Sequence, residues 1–269
     1  MTKPVLRIVV GIRKCPSKYG TDSEVMAMGK HTDAFIKKFR RLSERFSLWK
    51  VWADFVTLFA IALSNAVDKT HFEEREKLYL EIINRYNEQE RNLFPELCAD
   101  VVNALEINPA QDFLGSVYME LNLGNHWKGQ FFTPYSVCQC MAAMTLSNPV
   151  EQIRQKGYIA INDPACGAGA TLIAAVNQID SALHRAKSPL HWQDHVLVTA
   201  QDIDPVTGMM CYIQLSLLGC SGYVKIGDSI CDPMCAGDSK ENYWFMPGYF
   251  RDVWRLRRIF HGLTVKEVI

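Results

Sequence analysis

Three aspartates stand where strand-like apolar runs end, and they are the residues of this chain best suited to chemistry. Asp163 ends "GYIAIND", Asp202 ends "HVLVTAQD" and Asp228 ends "GYVKIGD". Ligands of open α/β sheets bind in the crevice outside the carboxyl ends of the strands. We therefore expect the three carboxylates to line one crevice.

A glycine turn follows the first of these runs. In "DPACGAGATLIAA", Gly167 and Gly169 separate Asp163 from a helical apolar pattern. Such glycines let the backbone approach a ligand closely, and the following helix offers its positive end. Leu172 stands where a dinucleotide fingerprint needs a third glycine, and the sequence lacks the G-K-S/T of a phosphate loop. The turn therefore suits a ligand with a cationic amine or sulfonium, a ribose diol and an adenine.

Those ligand groups assign one role to each aspartate. Asp163 would meet the positive charge of the ligand, and Asp202 would accept hydrogen bonds from both ribose hydroxyls. Asp228 would accept a hydrogen bond from the exocyclic amine of adenine. Strand-terminal acids in this order are a more specific signal than the short glycine turn alone.

The elements that must position these residues follow from the hydrophobic patterning. From about residue 30 to 122, apolar residues recur at three- and four-residue spacing, which predicts helices. After "GQFFTPYS", the strand-like runs alternate with the helical patterns "GATLIAAVNQIDSALHRA" and "PVTGMMCYIQLSLLG". This alternation predicts a parallel α/β sheet with crossover helices. We expect a mainly helical domain at 1–125 and a ligand-binding α/β domain at 126–269, with one further strand at 5–12.

Segments of the helical region carry their own predictions. The apolar run "FVTLFAIALSNAV" at 55–67 is too short to span a bilayer and predicts a buried helix. The charged pattern at 73–91 predicts one amphipathic helix. The basic run "KKFRRLSERF" at 37–46 favours a solvated helix face over contact with phosphate.

The bulk composition limits the classes of function. The chain has 29 basic and 29 acidic residues and a pI near 7.0, which counts against strong unaided binding to DNA. Its nine cysteines form no C-x-x-C pair and no zinc-ligand spacing, so we expect free thiols, no metal and a cytoplasmic location. The amino terminus does not read as a secretory signal, and we expect no membrane partner.

Several sequence blocks, taken together and in order, carry a resemblance to a known family. They are "DFLGSVYMELNLG", "GQFFTP", "NDPACGAGATLI", "AQDIDPVT" and, less closely, "GDSI". In this combination the chain resembles the DNA adenine-N6 methyltransferases, specifically the modification subunits of type I restriction–modification systems. Two departures stand out: Met119 separates Tyr118 from Glu120, and Ala168 replaces the usual Ser or Thr.

The resemblance implies a fold, a cofactor and a set of binding residues. It implies a helical amino-terminal domain followed by a Rossmann-like methyltransferase core, with S-adenosylmethionine (SAM) as the cofactor. "GQFFTP" would lie against the methionine end of the cofactor, although packing alone is an equal alternative for Phe132. The implied cofactor-binding residues are Phe132, Thr133, Pro134, Asp163, Ala165, Gly167, Gly169, Asp202 and Asp228.

The catalytic block of that family, D/N-P-P-Y/F, has no match in this sequence. In the family, its Asn or Asp and the first Pro carbonyl accept hydrogen bonds from the adenine amine, and its aromatic ring stacks on the flipped base. Asn242, Tyr243 and Trp244 are the stand-in candidates for these roles. About 25 residues follow Trp244, too few for the rest of the core or a target-recognition domain, so we expect an incomplete core.

Three functions remain open on the sequence alone. The chain is either an adenine-N6 methyltransferase whose missing parts come from a partner or a second copy, or a catalytically silent SAM-binding regulatory or complex-forming relative. In the third alternative, the glycine turn is merely a strand-to-helix connection. Expected partners are DNA and a specificity or methyltransferase subunit. Near the carboxy terminus, Arg251, Arg255 and Arg258 favour phosphate binding and a docking helix equally.

Overall fold

The computed structural model describes residues 22–123 and 132–260, with side chains from residue 31 onward. Contacts divide the chain into two compact units, Met1–Phe132 and Thr133–Ile269. The boundary predicted after residue 125 and the strand predicted at 5–12 both lie outside the described residues.

The first unit is helical, as the spacing of its apolar residues predicts. Its helices are α1 (Asp22–Leu42), α2 (Leu48–Val67), α3 (Phe72–Ile83), α4 (Glu88–Ile107) and α5 (Phe113–Glu120). An aromatic core joins α1 to α2, because Phe35, Phe39, Trp52 and Phe55 are all fully buried. The Phe35 ring centroid lies 5.5 Å from that of Phe55 in an edge-on arrangement, which is favourable for aromatic pairs.

Helix α2 is longer than the run predicted at 55–67. It begins at Leu48 because the side chain of Ser47 accepts a hydrogen bond of 3.3 Å from the backbone N–H of Lys50. Its 20 residues are long and apolar enough to cross a membrane, but 67% of its most apolar window is buried inside the protein. The prediction of a buried core helix is therefore confirmed.

The single helix predicted at 73–91 is wrong, since the structure has two helices there. Helix α3 ends at Ile83 and α4 begins at Glu88. The side chain of Asn87 accepts a hydrogen bond of 2.9 Å from the N–H of Glu90, whose carboxylate accepts one of 2.7 Å from the N–H of Asn87. This reciprocal capping box starts a new helix, and hydrophobic periodicity does not reveal it.

The basic run at 37–46 lies in α1 and the turn after it. Lys38 Nζ lies 2.8 Å from a carboxylate oxygen of Asp100, and Arg45 lies 2.9 Å from Glu90. These cations therefore neutralise carboxylates of α4 in the same unit. The pairing agrees with a packed and solvated helix face.

The second unit is an α/β sheet flanked by helices. Its elements are α6 (Tyr135–Thr145), α7 (Pro149–Lys156), β1 (Ile159–Asp163), α8 (Ala170–Arg185), β2 (Val196–Asp202), α9 (Pro205–Leu217), β3 (Ser221–Ile226), β4 (Tyr243–Phe245) and α10 (Asp252–Phe260), with short 3-10 turns at Trp192–Asp194 and Pro247–Phe250. The strand order is β1-β2-β3-β4, with β1, β2 and β3 parallel and β4 antiparallel to β3. The predicted α/β fold class is confirmed, with Rossmann-like β–α–β connections, whereas β4 was not predicted.

The central strands of this sheet are buried. The strands β2 and β3 are buried along nearly their whole length, and every residue of α9 from Val206 to Leu217 is buried too. A helix that is apolar on all sides is typical of a protein interior. The carboxyl ends of β1, β2 and β3 therefore project from a rigid, close-packed core.

Helix α10 docks against the α/β unit. Trp254 is fully buried, and its indole nitrogen donates a hydrogen bond of 3.0 Å to a main-chain carbonyl of the unit. Arg251 pairs with Asp194 at 2.8 Å, and the Arg258 guanidinium stacks 3.8 Å from the centroid of the Tyr249 ring. These contacts favour a docking helix over a phosphate-binding face.

Candidate functional site

The glycine loop begins at Asp163, the last residue of β1. One carboxylate oxygen of Asp163 accepts a hydrogen bond of 3.1 Å from the N–H of Ala165, and the other accepts one from the hydroxyl of Thr171 in the first turn of α8. Asp163 therefore joins the end of the strand to the start of the helix. The aspartate is half-buried, and Ala165 is exposed at the surface of the loop.

Two glycines give the loop a backbone shape that other residues rarely adopt. Gly167 has φ of 53° and Gly169 has φ of 95°, both in the left-handed region. A Cβ added to Gly169 would lie 2.9 Å from the Sγ of Cys211, closer than real Cβ contacts allow. Glycine at 169 is therefore required by conformation and by space at once, and it lets α8 begin directly at Ala170.

The side chain of Asp202, at the end of β2, is the central hydrogen-bond acceptor of the site. Its Oδ2 accepts a hydrogen bond of 2.7 Å from the N–H of Gly167. Its Oδ1 accepts one of 2.9 Å from the N–H of Asp204 and one of 2.9 Å from the hydroxyl of Thr207. One carboxylate thus ties the glycine loop to β2 and to the first turn of α9.

These bonds limit what Asp202 can offer to a ligand. A carboxylate oxygen has about two acceptor sites, and both sites of Oδ1 are taken. Oδ2 retains one site beside the bond from Gly167. Asp202 could accept one ribose hydroxyl directly, and a second only if the bond from Gly167 lengthened.

The third aspartate, Asp228, lies two residues beyond the end of β3. Strand β3 ends at Ile226, and the N–H of Gly227 donates a hydrogen bond of 2.9 Å to the main-chain oxygen of Asp202. The Asp228 carboxylate accepts hydrogen bonds from the N–H groups of Ile230 at 2.8 Å and Cys231 at 3.1 Å. These bonds lower the pKa of Asp228 below its usual value, so this accessible carboxylate is ionised at neutral pH.

Two exposed isoleucines beside these acids were missed by the sequence analysis. Ile203 follows Asp202 directly and is 69% exposed, and Ile230 lies two residues beyond Asp228 and is 89% exposed. An apolar side chain next to a strand-end acid offers contact area for a flat, weakly polar ring. The signal that could have found them is a β-branched apolar residue where a polar turn residue is usual.

The residues of the "GQFFTP" block are divided between the two units. The ring of Phe132 lies 5.2 Å from that of Tyr118, which favours a packing role for Phe132. Thr133 and Pro134 are exposed and come immediately before α6, for which Pro134 is the N-cap residue.

Helix α6 lies against the start of the helix that follows the glycine loop. Cys138 and Ala142 of α6 form a buried cluster with Ala170 and Ala174 of α8. The chain segment at Thr133 and Pro134 therefore leads into a helix that packs on the first two turns of α8.

The stand-in catalytic candidates lie at the far side of the sheet. Tyr243 is 1% exposed and its hydroxyl donates a hydrogen bond to Asp238. The main-chain oxygen of Asn242 accepts a hydrogen bond from β3, and the ring of Trp244 lies 5.5 Å from that of Tyr212.

Their distance from the glycine loop follows from the strand order. Strands β2 and β3 separate β4 from β1, a distance of about 14 Å at the usual strand spacing. The structure does not bring Asn242, Tyr243 and Trp244 to the loop, and the buried ring of Tyr243 is not available for stacking on a base.

Cys166 and Cys211, which lie beside the glycine loop, are buried thiols that stay protonated at neutral pH. A hydrogen bond with Cys211, together with burial, raises the pKa of Cys166 well above its usual value. All eight cysteines in the described part of the chain are free. Across residues 31–123 and 132–260, no group of three or more His, Cys, Asp or Glu side chains is arranged to hold a metal ion.

The family of the chain follows from comparison with known proteins. No curated protein matches the chain. Among solved structures, it is similar to a putative class I S-adenosylmethionine-dependent methyltransferase from Listeria monocytogenes, with a TM-score of 0.42 and 14% identity over 85% of this chain and 69% of that chain. The model of the N-6 DNA methylase family matches residues 110–257, more than half of the sequence. The chain therefore belongs to the N-6 DNA methylase family.

Proposed function

We propose that this chain binds SAM at the carboxyl ends of β1, β2 and β3 and serves as the cofactor-binding core of a DNA adenine-N6 methyltransferase of the restriction–modification type. The observation that carries the proposal is the hydrogen bond of 2.7 Å between Gly167 and Asp202. It holds the glycine loop and the second strand-end acid side by side. A cofactor that spans both would therefore meet groups that are already close together.

The groups present fit the parts of SAM. Asp163 and the loop of Gly167 and Gly169 would face the charged methionine end, with Thr133 and Pro134 beside it. Asp202 has one free acceptor site for the ribose. The accessible Asp228 carboxylate would accept from the adenine amine, and the exposed Ile203 offers apolar area to the adenine ring.

The chemistry divides between the cofactor and the chain. SAM, when bound, supplies a methyl group on an already activated sulfonium. The contribution of the protein is positioning. Its loop glycines would let the ligand approach the backbone closely, and its acids would orient the ribose and the adenine. Holding two reactants in line can account for several orders of magnitude in rate.

The group that holds the target adenine would come from outside the described residues. Asn242, Tyr243 and Trp244 lie about three strand spacings from the glycine loop. The net charge of zero also gives the chain no general attraction for DNA. We therefore propose that a partner subunit, such as a specificity or methyltransferase subunit, or a second copy supplies base binding and DNA contact.

The same placement favours a second candidate function. A chain that binds SAM but cannot hold an adenine would be a catalytically silent sensor or a regulatory component of a methyltransferase complex. Both candidate functions include SAM binding at the same strand ends. They differ in whether a target adenine reaches the bound SAM.

Transfer of a tritiated methyl group from SAM to adenine-containing DNA distinguishes them. The purified chain is assayed alone and with the products of neighbouring genes, and the DNA is digested to nucleosides. Label in N6-methyladenine with either preparation supports the enzyme. SAM binding without label in either preparation supports the silent relative, and absence of SAM binding overturns both.

A further inference from the structure

A buried lysine lies under the loop that carries Asp228. The side chain of Lys225, in β3, is 4% exposed. Its Nζ lies 2.8 Å from Oδ1 of Asp232 and 2.9 Å from Oδ2 of Asp238, and it donates a hydrogen bond of 3.2 Å to the main-chain oxygen of Pro233. Every one of these acceptors belongs to the loop between β3 and β4, residues 227–242, which we call the β3–β4 loop.

The near half of the β3–β4 loop is held at Asp232. The amide of Gln201 donates a hydrogen bond of 2.8 Å to the main-chain oxygen of Asp232. The N–H of Asp232 donates one of 2.7 Å to the main-chain oxygen of Asp228. The turn that orients the Asp228 carboxylate is therefore anchored through Asp232 to Gln201 and Lys225.

The far half of the loop is held at Asp238. This carboxylate accepts hydrogen bonds from Lys225 at 2.9 Å, from the N–H of Cys235 at 3.1 Å and from the hydroxyl of Tyr243. The ammonium also lies 5.6 Å from the centroid of the Tyr243 ring. One lysine thus ties both halves of the loop to the sheet.

Stability alone does not explain why a strand contains a buried lysine. Desolvation of an ion pair opposes its Coulomb attraction, so such a pair is weak support for stability and is better suited to selecting one conformation. Burial lowers the pKa of Lys225, but the hydrogen bonds that its ammonium donates to Asp232 and Asp238 raise the pKa by more, so the lysine is charged at neutral pH. A charged lysine at this buried position requires its partners Asp232 and Asp238. The β3–β4 loop must therefore adopt the conformation that places both carboxylates beside Lys225.

We propose that Lys225 is a positioning residue that sets the purine specificity of the crevice. By anchoring the β3–β4 loop, it fixes the Asp228 carboxylate where it accepts a hydrogen bond from an exocyclic amine and repels an exocyclic carbonyl. The inference rests on the proposed binding of SAM. It adds that selection of adenine over hypoxanthine depends on a residue that does not touch the ligand.

The test compares two ligands whose purines differ at position 6, where a carbonyl replaces the amine, and at the adjacent N1, which then carries a hydrogen. S-adenosylhomocysteine and S-inosylhomocysteine are titrated calorimetrically into the wild type, Lys225→Met, Lys225→Arg and the control Lys240→Met, which removes an exposed lysine of the same loop. A carboxylate that accepts a hydrogen bond from an amine repels a carbonyl in its place, and because Asp228 is accessible to water we expect a wild-type preference of roughly tenfold for the adenine ligand.

We expect substitution of Lys225 to change the ratio of the affinities for the two ligands. Lys225→Met should remove most of the preference, mostly by weakening binding of the adenine ligand, because the hydrogen bond from the amine is lost when its acceptor moves. Lys225→Arg should retain most of the preference, and Lys240→Met should retain all of it. An equal loss of both affinities in Lys225→Met would show a general structural role and overturn the proposal.

Asp238→Asn provides a second variant in case Lys225→Met does not fold. It keeps the side-chain volume and removes one carboxylate partner, and it should also lower the preference. A wild type that binds neither ligand overturns the proposed function together with this inference. A wild type that binds both ligands with equal affinity overturns the inference alone.

Discussion

The backbone N–H of Gly167 donates a hydrogen bond of 2.7 Å to Oδ2 of Asp202, a residue 35 positions further along the chain. This bond joins the loop after β1 to the end of β2 across neighbouring parallel strands. The same carboxylate accepts hydrogen bonds from the N–H of Asp204, which precedes α9, and from the hydroxyl of Thr207 in its first turn. The loop after β1, the end of β2 and the start of α9 are therefore held together by one carboxylate of the protein itself.

The substitution Asp202→Asn tests how much of ligand binding depends on this carboxylate. It preserves size but removes the charge and turns one acceptor oxygen into a donor. We expect SAM affinity to fall roughly ten- to a hundredfold, the usual effect of losing a hydrogen bond to a charged group. The free energy of unfolding should also fall by about 1–3 kcal/mol, because the new amide NH2 faces either the N–H of Gly167 or the N–H of Asp204, which then loses its acceptor. Asp252→Asn, at an exposed aspartate of α10, should change neither quantity.

The substitution Gly169→Ala tests the conformational requirement of the loop. The positive φ and the approach of the new Cβ to Cys211 should together destabilise the protein by about 1–3 kcal/mol in chemical denaturation. Gly237→Ala is the matched control, because a Cβ there meets no atom within 4 Å. Adding Cys211→Ala to Gly169→Ala should recover part of the loss by removing the steric contact. Equal stability of the two single glycine variants would contradict the account.

The acid dependence of stability tests the Lys225–Asp238 pair. The hydrogen bond from Tyr243, aided by the lysine, holds the pKa of Asp238 at about 2. Because this pKa is depressed in the folded state, the stabilisation is complete above the unfolded pKa of about 3.9 and is lost as pH falls toward 2. The stability difference between wild type and Asp238→Asn should therefore be constant from pH 7 to about 5 and shrink between about 4 and 2. A difference that already shrinks between pH 7 and 5 would contradict this assignment.

The capping box between α3 and α4 gives a prediction within the helical unit. Asn87→Ala removes one of its two reciprocal hydrogen bonds and should lower the unfolding free energy by about 0.5–2 kcal/mol. Asn92→Ala, at an exposed position inside α4, should be neutral or slightly stabilising because alanine favours helix. Thermal unfolding of the two variants in parallel measures the contrast.

The parts of the fold that the sequence predicts are those with local causes. The strands that end at Asp163 and Asp202 are marked by short apolar runs and an acid, and the structure has both. The break between α3 and α4 also has a local cause, the capping box at Asn87, but it is a side-chain pairing that the hydrophobic period does not contain.

The parts that the sequence does not predict depend on distant partners. Lys225 interrupts an apolar strand pattern, and its acceptors at Asp232 and Asp238 become visible only when the β3–β4 loop folds back over the sheet. In the same way, the pairing of β4 with β3 places Tyr243 beside Lys225. Neither the spacing nor the residue types of "NYWF" indicate that pairing.

Calorimetric titration of SAM into the purified chain, with Asp202→Asn alongside, tests the central claim most directly. We expect saturable binding at one site with a Kd on the order of micromolar in the wild type, weakened roughly tenfold or more in the variant. A folded wild type that gives no binding heat at millimolar SAM would contradict it. In that case the glycine loop would be only the connection between β1 and α8.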